Sequence, residues 1–592
     1  MLKKMSRGYP ESPVGLPDAS AKAIYGSDVI ADLLSAMGFE HAFLLPGSSF
    51  RGLHDSLVNH TRNVKPEIVL CTSEIIAVAA GHGYAKALGK PALCIVHNLA
   101  GLMVGSMSIF NAWCDQMPLV ILGGSGPLDP GKRRFMDWMH SASTQADLIK
   151  DLVKWTSEPP TLTATVDAIL RGHKIASTPP YGPVYISIDQ GVQESIVEAG
   201  FALPDITRPM YLPPEPLAAA PAAIDKAADM LIAAERPLII GGRIGYDAAA
   251  TRPLVEIVEL LGAAYVDDRN VSCIPTDHPQ NLSGDETIRA AADVVLAVDC
   301  PDPTMTVGAY GKVDTYRPGQ KLIDMSVNFM QPNSWSNVGG PLPPIELQIP
   351  CAPLLGLDQL IAALRARRPD AARASTRQAE LRARHDALRH KQREGWKVRA
   401  GEVPIVRPAV AHAICEAIKG KPWTLAVRQN RGVDEGIWPI SGAGIYHGYD
   451  GGGGVGYGPG AVVGAALALK AQKRICVAVI GDGEFLMAAG ALWTAAHYRV
   501  PLLLVIVNNT SWGNDENHQI NVAKARQRPV DNAWIGQRMI DPDIDLSGLA
   551  RCYGAWSEGP VEDPATMVDV MKRAVAAVEA GRCSVVEVRT EL

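Results

Sequence analysis

The sequence predicts an α/β protein of three domains, each containing a doubly wound, mostly parallel β-sheet with helices on both faces. Three observations lead to this prediction. A chain of 592 residues is too long for one hydrophobic core and suits about three domains of ordinary size. Short apolar runs recur along it, separated by segments with helical or turn-like patterns. The 55 glycines and 44 prolines supply the many turns that such a fold needs.

The apolar runs fall into three groups, which set the expected domain boundaries. The first group (HAFLLP, EIVLC, ALCIVH, LVILGG) predicts a first domain over residues 22–195. The second group (PLIIGG, AAYVDD, DVVLAVD) predicts a middle domain over residues 210–365. The third group (RICVAVIGDG, PLLLVIVNN) predicts a third domain over residues 401–592. Acidic residues interrupt the arginines of the segment 365–399, which favours a solvated interdomain helix over a nucleic-acid-binding arm.

Composition excludes several classes of function. The 56 basic and 62 acidic residues leave no positive surplus, so we expect no nucleic-acid partner and no anionic membrane surface. No apolar run approaches the roughly 18 residues of a membrane helix, and no apolar stretch follows the N-terminal lysines as in a signal peptide. The ten cysteines show no metal-type spacing and are expected as buried thiols. The sequence therefore predicts a soluble, cytoplasmic protein.

Polar residues follow the two strongest strands of the third domain. Asp482 lies between Gly481 and Gly483 directly after the first strand, and Asn509 closes the second strand. The carboxyl ends of parallel strands share one edge of a sheet, where ligands bind. Carboxylate and amide oxygens, with a backbone carbonyl near Ser511, are ligands that suit Mg²⁺. Glycine backbone and the following helix N-terminus suit phosphate, so the pattern predicts a magnesium and diphosphate site.

This arrangement resembles the cofactor motif of the thiamine-diphosphate decarboxylase and acetolactate-synthase superfamily. The resemblance implies thiamine diphosphate and Mg²⁺ as cofactors, an aminopyrimidine-binding first domain and a diphosphate-binding third domain. It also implies that Glu74, between a strand and a helix of the first domain, binds the aminopyrimidine and activates the cofactor. In the segment GGGGVGYGPG, Gly453 would supply a backbone contact and Val455 would wedge beneath the cofactor. The family usually has proline where Gly460 stands.

Within the superfamily, the segments containing LLPGSS, HNLAGLMVGSMSIFNAW and IPTDHPQN are similar to the benzoylformate decarboxylase branch. By that resemblance, His97 and His278 would carry protons and Ser48 would hold the substrate carboxylate or carbonyl. Each has a structural alternative: a strand-end histidine, a surface-loop histidine and a helix-capping serine.

The substrate side departs from that branch. Where the branch has apolar residues, this chain has Asn514, Asp515, Glu516 and His518, a polar rim that suits a phenyl ring poorly. Of these residues, Asn514, Asp515 and His518 are the predicted substrate contacts. Glu484, directly after the glycine–aspartate turn, is either an acid–base group or a helix cap.

The leading hypothesis is therefore a 2-oxoacid decarboxylase or carboligase that works through a cofactor ylide and enamine on a small-molecule substrate. One alternative is a 2-hydroxyacyl-CoA lyase, in which Arg133 and Arg134 could meet a nucleotide phosphate. Another is a non-catalytic regulatory homologue, against which the intact Glu74, Asp482 and Asn509 argue. The resemblance also implies a homodimer with shared active sites that assembles into a homotetramer. A flavin (FAD) in the middle domain is possible but not expected.

Overall fold

The computed structural model describes residues 9–16, 22–268, 271–302, 319–330, 345–428, 434–448 and 452–592. It contains three parallel β-sheets with helices packed against them, which confirms the predicted fold class. The six-stranded first sheet has the order β2-β1-β3-β4-β6-β5 and comprises β1 (His41–Leu44), β2 (Glu67–Leu70), β3 (Ala92–Val96), β4 (Leu119–Ser125), β5 (Trp155–Ser157) and β6 (Val184–Asp189).

The middle and third sheets have five strands each. The middle sheet, in the order β11-β10-β9-β7-β8, comprises β7 (Pro237–Gly241), β8 (Ala264–Asp267), β9 (Val294–Val298), β10 (Lys321–Met325) and β11 (Ile345–Ile349). The third sheet, in the order β12-β13-β14-β16-β15, comprises β12 (Trp423–Arg428), β13 (Ile475–Gly481), β14 (Leu502–Asn508), β15 (Trp556–Val561) and β16 (Cys583–Arg589). The central strands are buried along nearly their whole length, as expected for parallel sheets covered on both faces.

The helices follow the alternating pattern that the sequence predicts. Those of the first domain are α1 (Gly26–Ala36), α2 (Arg51–Asp55), α3 (Glu74–Leu88), α4 (Leu99–Cys114), α5 (Asp137–His140), α6 (Leu162–Ala176) and α7 (Gln190–Gln193). Those of the middle domain are α8 (Pro221–Ala233), α9 (Thr251–Leu261), α10 (Ile288–Ala291) and α11 (Pro353–Arg367), followed by α12 (Ala371–Lys397). Those of the third domain are α13 (Arg407–Ile418), α14 (Tyr457–Leu469), α15 (Asp482–Ala488), α16 (Ala491–His497), α17 (Gly513–Ala525), α18 (Leu546–Cys552) and α19 (Met567–Glu579).

Helices α3 and α14 join the first and third domains by close backbone contact. A Cβ atom added to Gly464 would lie 1.8 Å from the Ala80 carbonyl oxygen, and one added to Gly83 would lie 2.0 Å from the Ala461 carbonyl oxygen. Gly460 also meets α3, since its added Cβ would lie 2.8 Å from the Ala79 Cβ. Glycine in place of the family's proline therefore leaves α14 regular and lets two helices approach closely.

The long helix α12 is less solvated than its sequence predicts. Arg389 is buried and donates hydrogen bonds to the backbone carbonyls of Thr276, Ser283 and Asn281. The helix therefore packs against the middle domain through a polar anchor that charge patterning does not reveal. Among the helices of the described ranges, none is long and apolar enough to cross a membrane.

The glycine-rich turn after β7 is filled by the protein's own atoms. A Cβ added to Gly241 would lie 2.3 Å from the Tyr265 hydroxyl, and one added to Gly242 would lie 2.2 Å from the Asp299 carbonyl oxygen. Burial raises the pKa of the neighbouring Asp299 carboxyl to about 6. These glycines serve close packing of the chain, so their presence does not indicate a phosphate cradle.

Candidate active site

The predicted metal ligands lie on neighbouring strands of the third sheet. Asp482 begins α15 directly after β13, and Asn509 follows β14, which pairs with β13 in parallel. The Asp482 side chain is buried, its Oδ1 accepts a hydrogen bond from the Gly483 N–H (3.0 Å), and its Oδ2 has no hydrogen-bond partner among the described residues. Burial raises the pKa of this carboxyl.

The residues at this edge fit a divalent cation and a diphosphate. A buried carboxylate oxygen without a partner costs free energy that a cation would offset. Beside it lies a small open pocket, whose lining includes Asp482, Asn508 and Thr510. Asn509 Oδ1 accepts a hydrogen bond from the Ser511 N–H (3.0 Å), which orients the amide and leaves this oxygen a second lone pair. The Ser511 hydroxyl donates a hydrogen bond to Glu516 Oε2 (2.6 Å).

The glycine loop (residues 452–458) is bound by polar side chains of two domains. Asn111 of α4 forms two hydrogen bonds with Gly454, one to its carbonyl and one from its N–H (both 3.2 Å). Gly453, with a φ of 70°, has no other atom within 4 Å of a Cβ added to it, so its backbone is accessible to a ligand. Val455 is partly buried beside it. The sequence marked Asn111 only as part of a branch motif and did not reveal this contact.

Glu484 holds the end of the same loop. Its buried carboxylate accepts hydrogen bonds from the Gly456 N–H (2.8 Å) and the Gly458 N–H (2.5 Å) at the start of α14. This geometry favours capping over acid–base chemistry, although the helix it caps is α14, whereas the sequence suggested its own helix. Because Glu484 follows Asp482 and Gly483, it links the diphosphate edge to the glycine loop.

Glu74 begins α3 in the first domain and is 5% exposed. Burial raises the pKa of its carboxyl, and no other residue in the described part of the chain hydrogen-bonds that group. Its Oε1 faces Gly101, since a Cβ added to Gly101 would lie 2.5 Å from that oxygen and 2.8 Å from the His97 Cβ. Glu74 and His97 therefore border the same glycine, and a side chain on Gly101 would displace both.

His97, directly after β3, contacts Ser49, the neighbour of the predicted substrate contact Ser48. The Ser49 Oγ lies 2.8 Å from His97 Nδ1, while Ser48 is exposed at the start of the turn. Burial, followed by the nearby His140 and Arg134, lowers the pKa of His97. The His140 ring stands edge-on to the His97 ring, with centroids 5.5 Å apart. The sequence PGSS contains two adjacent serines and does not indicate which hydroxyl turns inward. No motif in the sequence indicated His140.

His278 is held within the middle domain. Its Nε2 lies 3.5 Å from Glu259 Oε1, and its Nδ1 accepts a hydrogen bond from the Gln280 N–H (3.3 Å). Within one chain, the structure therefore does not bring His278 into contact with His97 or Glu74. Burial lowers the pKa of this histidine, as it does for His97.

The predicted polar rim divides into an exposed and a buried part. Asn514, Asp515 and His518 are exposed on the first turns of α17, which begins four residues after Asn509. Glu516, by contrast, is buried and forms an ion pair with Arg538 (2.7 Å). Glu516 therefore supports the turn after Asn509 and is not part of the exposed rim.

Arg133 and Arg134, considered above as phosphate contacts, are engaged within the chain. Arg133 Nε donates to the Pro127 carbonyl (2.7 Å), and Arg134 bonds to Asp137 (3.0 Å) and Gln190 (2.9 Å). Binding a nucleotide phosphate would compete with these contacts, so the structure gives that interpretation no support.

Comparison with known proteins agrees with this geometry. Residues 24–146 match the family described as "thiamine pyrophosphate enzyme, N-terminal TPP binding domain", and residues 436–588 match the corresponding C-terminal domain. The two matches contain Glu74 and Asp482 respectively. The chain belongs to the superfamily of thiamine pyrophosphate (thiamine diphosphate) enzymes that includes benzoylformate decarboxylases and acetolactate synthases.

Individual relatives are distant. The benzoylformate decarboxylase of Pseudomonas aeruginosa is 26% identical over 75% of this chain and 79% of its own length. A probable 2-ketoarginine decarboxylase of the same organism is 25% identical over 91% of this chain and 90% of its own. The crystal structure of benzoylformate decarboxylase from Polynucleobacter necessarius has a TM-score of 0.76 at 19% identity, covering 96% and 99% of the two chains. This last similarity concerns the fold alone.

Proposed function

We propose that this chain is a Mg²⁺- and thiamine-diphosphate-dependent 2-oxoacid decarboxylase or carboligase. The observation that carries the proposal is a pair of buried carboxyl groups, each without a hydrogen-bond partner from another side chain. The unpartnered Asp482 Oδ2 would bind a cation, and Glu74, whose pKa burial raises, would bind a weakly basic ring nitrogen. Thiamine diphosphate, when bound, supplies the electron sink for cleaving a bond next to a carbonyl.

The chain's own residues orient the reactants and handle protons. Asp482, Asn509 and the Ser511 backbone would hold Mg²⁺, while Gly481, Gly483 and the N-terminus of α15 would meet the diphosphate. Gly453 and Val455 would contact the aminopyrimidine side of the cofactor. The Glu74 carboxyl, whose pKa burial raises, would form a hydrogen bond with a ring nitrogen. Ser48 and His97 would border the space that a substrate carbonyl occupies.

We further propose a substrate with a polar or cationic end. The exposed Asn514, Asp515 and His518 offer hydrogen bonds and negative charge where an aromatic substrate would need apolar contacts. The relative named as a probable 2-ketoarginine decarboxylase supports this proposal, because the guanidinium of 2-ketoarginine is cationic. An Asp515→Asn variant should raise KM for cationic 2-oxoacids and leave KM for neutral ones unchanged.

We propose that the active site is shared between two copies of the chain, in a dimer that pairs into a tetramer. The Glu74 carboxyl lies beside Gly101 of the first domain, whereas the Asp482 carboxyl accepts a hydrogen bond from Gly483 of the third domain. Close to Glu74 and His97, Met103, Val104 and Met107 expose apolar surface on α4, as a second chain would require.

Release of CO₂ from a panel of aryl, alkyl and cationic 2-oxoacids tests the proposed chemistry. We expect turnover that depends on Mg²⁺ and thiamine diphosphate and that is abolished in Glu74→Gln. Asp482→Ala should lose the thermal stabilisation that the two cofactors give the wild type. Absence of CO₂ from every 2-oxoacid, with aldehyde or ketone released from 2-hydroxyacyl-CoA, would establish the lyase alternative instead. We propose no flavin in the middle domain, and a visible spectrum of the purified protein tests this.

A further inference from the structure

We propose that Ser49 fixes the neutral His97 ring in the tautomer with its proton on Nε2, which makes His97 a hydrogen-bond donor to a substrate oxygen. The donor would meet the carbonyl oxygen, or the oxyanion that replaces it, in the reaction proposed above. This role rests on that proposed function and differs from the proton transfer that family resemblance implies. Ser49 is then a positioning residue, because it acts through His97.

The hydrogen bonds of Ser49 determine the tautomer. Its buried Oγ accepts a hydrogen bond from the Asn98 backbone N–H (3.1 Å) and lies 2.8 Å from His97 Nδ1. Among the described residues, Nδ1 is the one acceptor within reach of the Ser49 hydroxyl proton. The hydroxyl therefore donates to Nδ1, and a neutral imidazole that accepts at Nδ1 carries its proton at Nε2.

The surroundings of His97 favour the neutral ring. Burial is the main cause of its lowered pKa, and the His140 ring from α5 and the Arg134 guanidinium act in the same direction. Asp137 neutralises much of the Arg134 charge through an ion pair (3.0 Å). Glu74 faces His97 across Gly101, but burial raises the pKa of that carboxyl, which weakens its ability to stabilise an imidazolium. Protonation of Nδ1 would also leave the Ser49 hydroxyl without its acceptor.

The turn that carries Ser49 also fixes the position of the ring. A Cβ added to Gly47 would lie 2.5 Å from His97 Nδ1 and 2.7 Å from its Cγ. Gly47 therefore allows the ring to pack against the turn with Nδ1 inward. The opposite nitrogen, Nε2, has no hydrogen-bond partner in the described ranges, and the residue is partly exposed. Nε2 is thus available to a bound oxygen.

Nitrogen NMR of ring-¹⁵N-histidine protein tests the tautomer directly and needs no turnover. The signals of His97 are assigned as those that are missing from the spectrum of the His97→Gln variant. We expect an unprotonated Nδ1 and a protonated Nε2 at neutral pH in wild-type protein, and loss of this fixed pattern in Ser49→Ala. A protonated Nδ1 in the wild type, or an unchanged pattern in Ser49→Ala, overturns the proposal. Because this measurement is made without substrate, it is independent of whether CO₂ is released.

Kinetics separate hydrogen-bond donation from proton transfer. Glutamine keeps an N–H donor but cannot exchange protons near neutral pH, whereas leucine can do neither. We expect His97→Gln to retain kcat within roughly 10-fold, while His97→Leu loses roughly 10²–10³-fold, as for removal of an oxyanion donor. Equal losses in both variants would contradict the donor role. His390→Gln, on the exposed face of α12, is the matched control for histidine removal.

Discussion

At the scale of single residues, Glu74 and His97 show how burial and one neighbouring atom determine chemical character. Both residues lie beside Gly101. Burial raises the pKa of Glu74 and lowers that of His97, and each shift favours the neutral form of the side chain. A neutral acid and a neutral imidazole can share or donate protons without the cost of a buried charge. The first-domain half of the site is therefore poised for hydrogen bonding more than for charge stabilisation.

Replacement of Glu74 by glutamine should make the cofactor-free protein more stable at neutral pH. A carboxyl whose pKa is raised in the folded protein contributes fully to stability at pH values below its pKa in the unfolded chain. This contribution is lost as the pH rises through the raised pKa of the folded state. Glutamine does not ionise, so we expect Glu74→Gln to gain roughly 1 kcal/mol at pH 7.5. The gain should vanish near pH 4.

Denaturant unfolding of both proteins at the two pH values measures this difference. Glu562→Gln, directly after β15, is the control, because that side chain is exposed. Equal stability of wild type and Glu74→Gln at pH 7.5 would mean that the Glu74 carboxylate is already compensated.

The sequence specified the types of residue in the site better than their contacts. Asp482, Asn509 and Glu74 follow apolar strands at positions that the fold class alone places at sheet edges. Ser49 could not be chosen over Ser48, because which hydroxyl turns inward depends on the backbone of a short turn. The pairing of Glu516 with Arg538 joins residues far apart in sequence, and a polar run on one helix does not reveal it.

At the scale of secondary-structure elements, Glu484 and Asn111 hold the glycine loop from opposite sides. Four hydrogen bonds connect these two side chains to Gly454, Gly456 and Gly458. A glycine-rich segment has high conformational entropy when free, so its order depends on such contacts. The loop is thereby positioned by α4 of the first domain and α15 of the third.

Removal of the Glu484 carboxylate should weaken cofactor binding more than it slows chemistry. In Glu484→Gln the amide NH₂ would oppose one of the two backbone N–H groups. We expect roughly 10-fold weaker activation by thiamine diphosphate, with kcat retained at saturating cofactor. Cofactor titration of activity and of tryptophan fluorescence measures both quantities. A fall in kcat with unchanged cofactor affinity would instead identify Glu484 as an acid–base group.

A methyl group at the contact between α3 and α14 should be poorly tolerated. The Gly464→Ala methyl would meet the Ala80 carbonyl oxygen at 1.8 Å, so the helices must separate. We expect a loss of at least roughly 1–3 kcal/mol in the free energy of unfolding. Gly395→Ala on α12, where an added Cβ meets nothing within 4 Å, should instead gain up to about 1 kcal/mol through helix propensity. Comparable stability of the two variants would contradict the close packing.

At the scale of the whole molecule, subunit mixing tests the proposed shared site. Glu74→Gln and Asp482→Ala each inactivate one half of every site in a homodimer. In a mixed dimer with shared sites, one site carries both changes and the other carries neither. After unfolding and refolding together, about a quarter of wild-type activity should return. If each site lies within one chain, the mixture will stay inactive. Each variant refolded alone is the control and should be inactive whether or not the sites are shared.

The domain boundaries predicted from the sequence follow the order of strands and helices along the chain. The hydrophobic cores group these elements differently. One continuous hydrophobic core contains residues of both the first and the third domain, among them Phe43, Ala80, Ala461 and Val585. The middle domain has two further cores, one of which also includes Ala443 of the third domain. The glycine contacts between α3 and α14 lie within the shared core, a feature that no local pattern in either helix predicts.

The backbone contact between α3 and α14 has a thermodynamic consequence. Two domains that share one core cannot melt separately, because loss of either exposes the apolar surface of the other. Scanning calorimetry of the wild-type protein should therefore resolve two cooperative transitions, one for the middle domain and one for the fused pair. Saturating cofactor should shift only the second. We therefore expect the first and third domains to behave as a single calorimetric unit, although a middle domain that melts separately lies between them in the sequence.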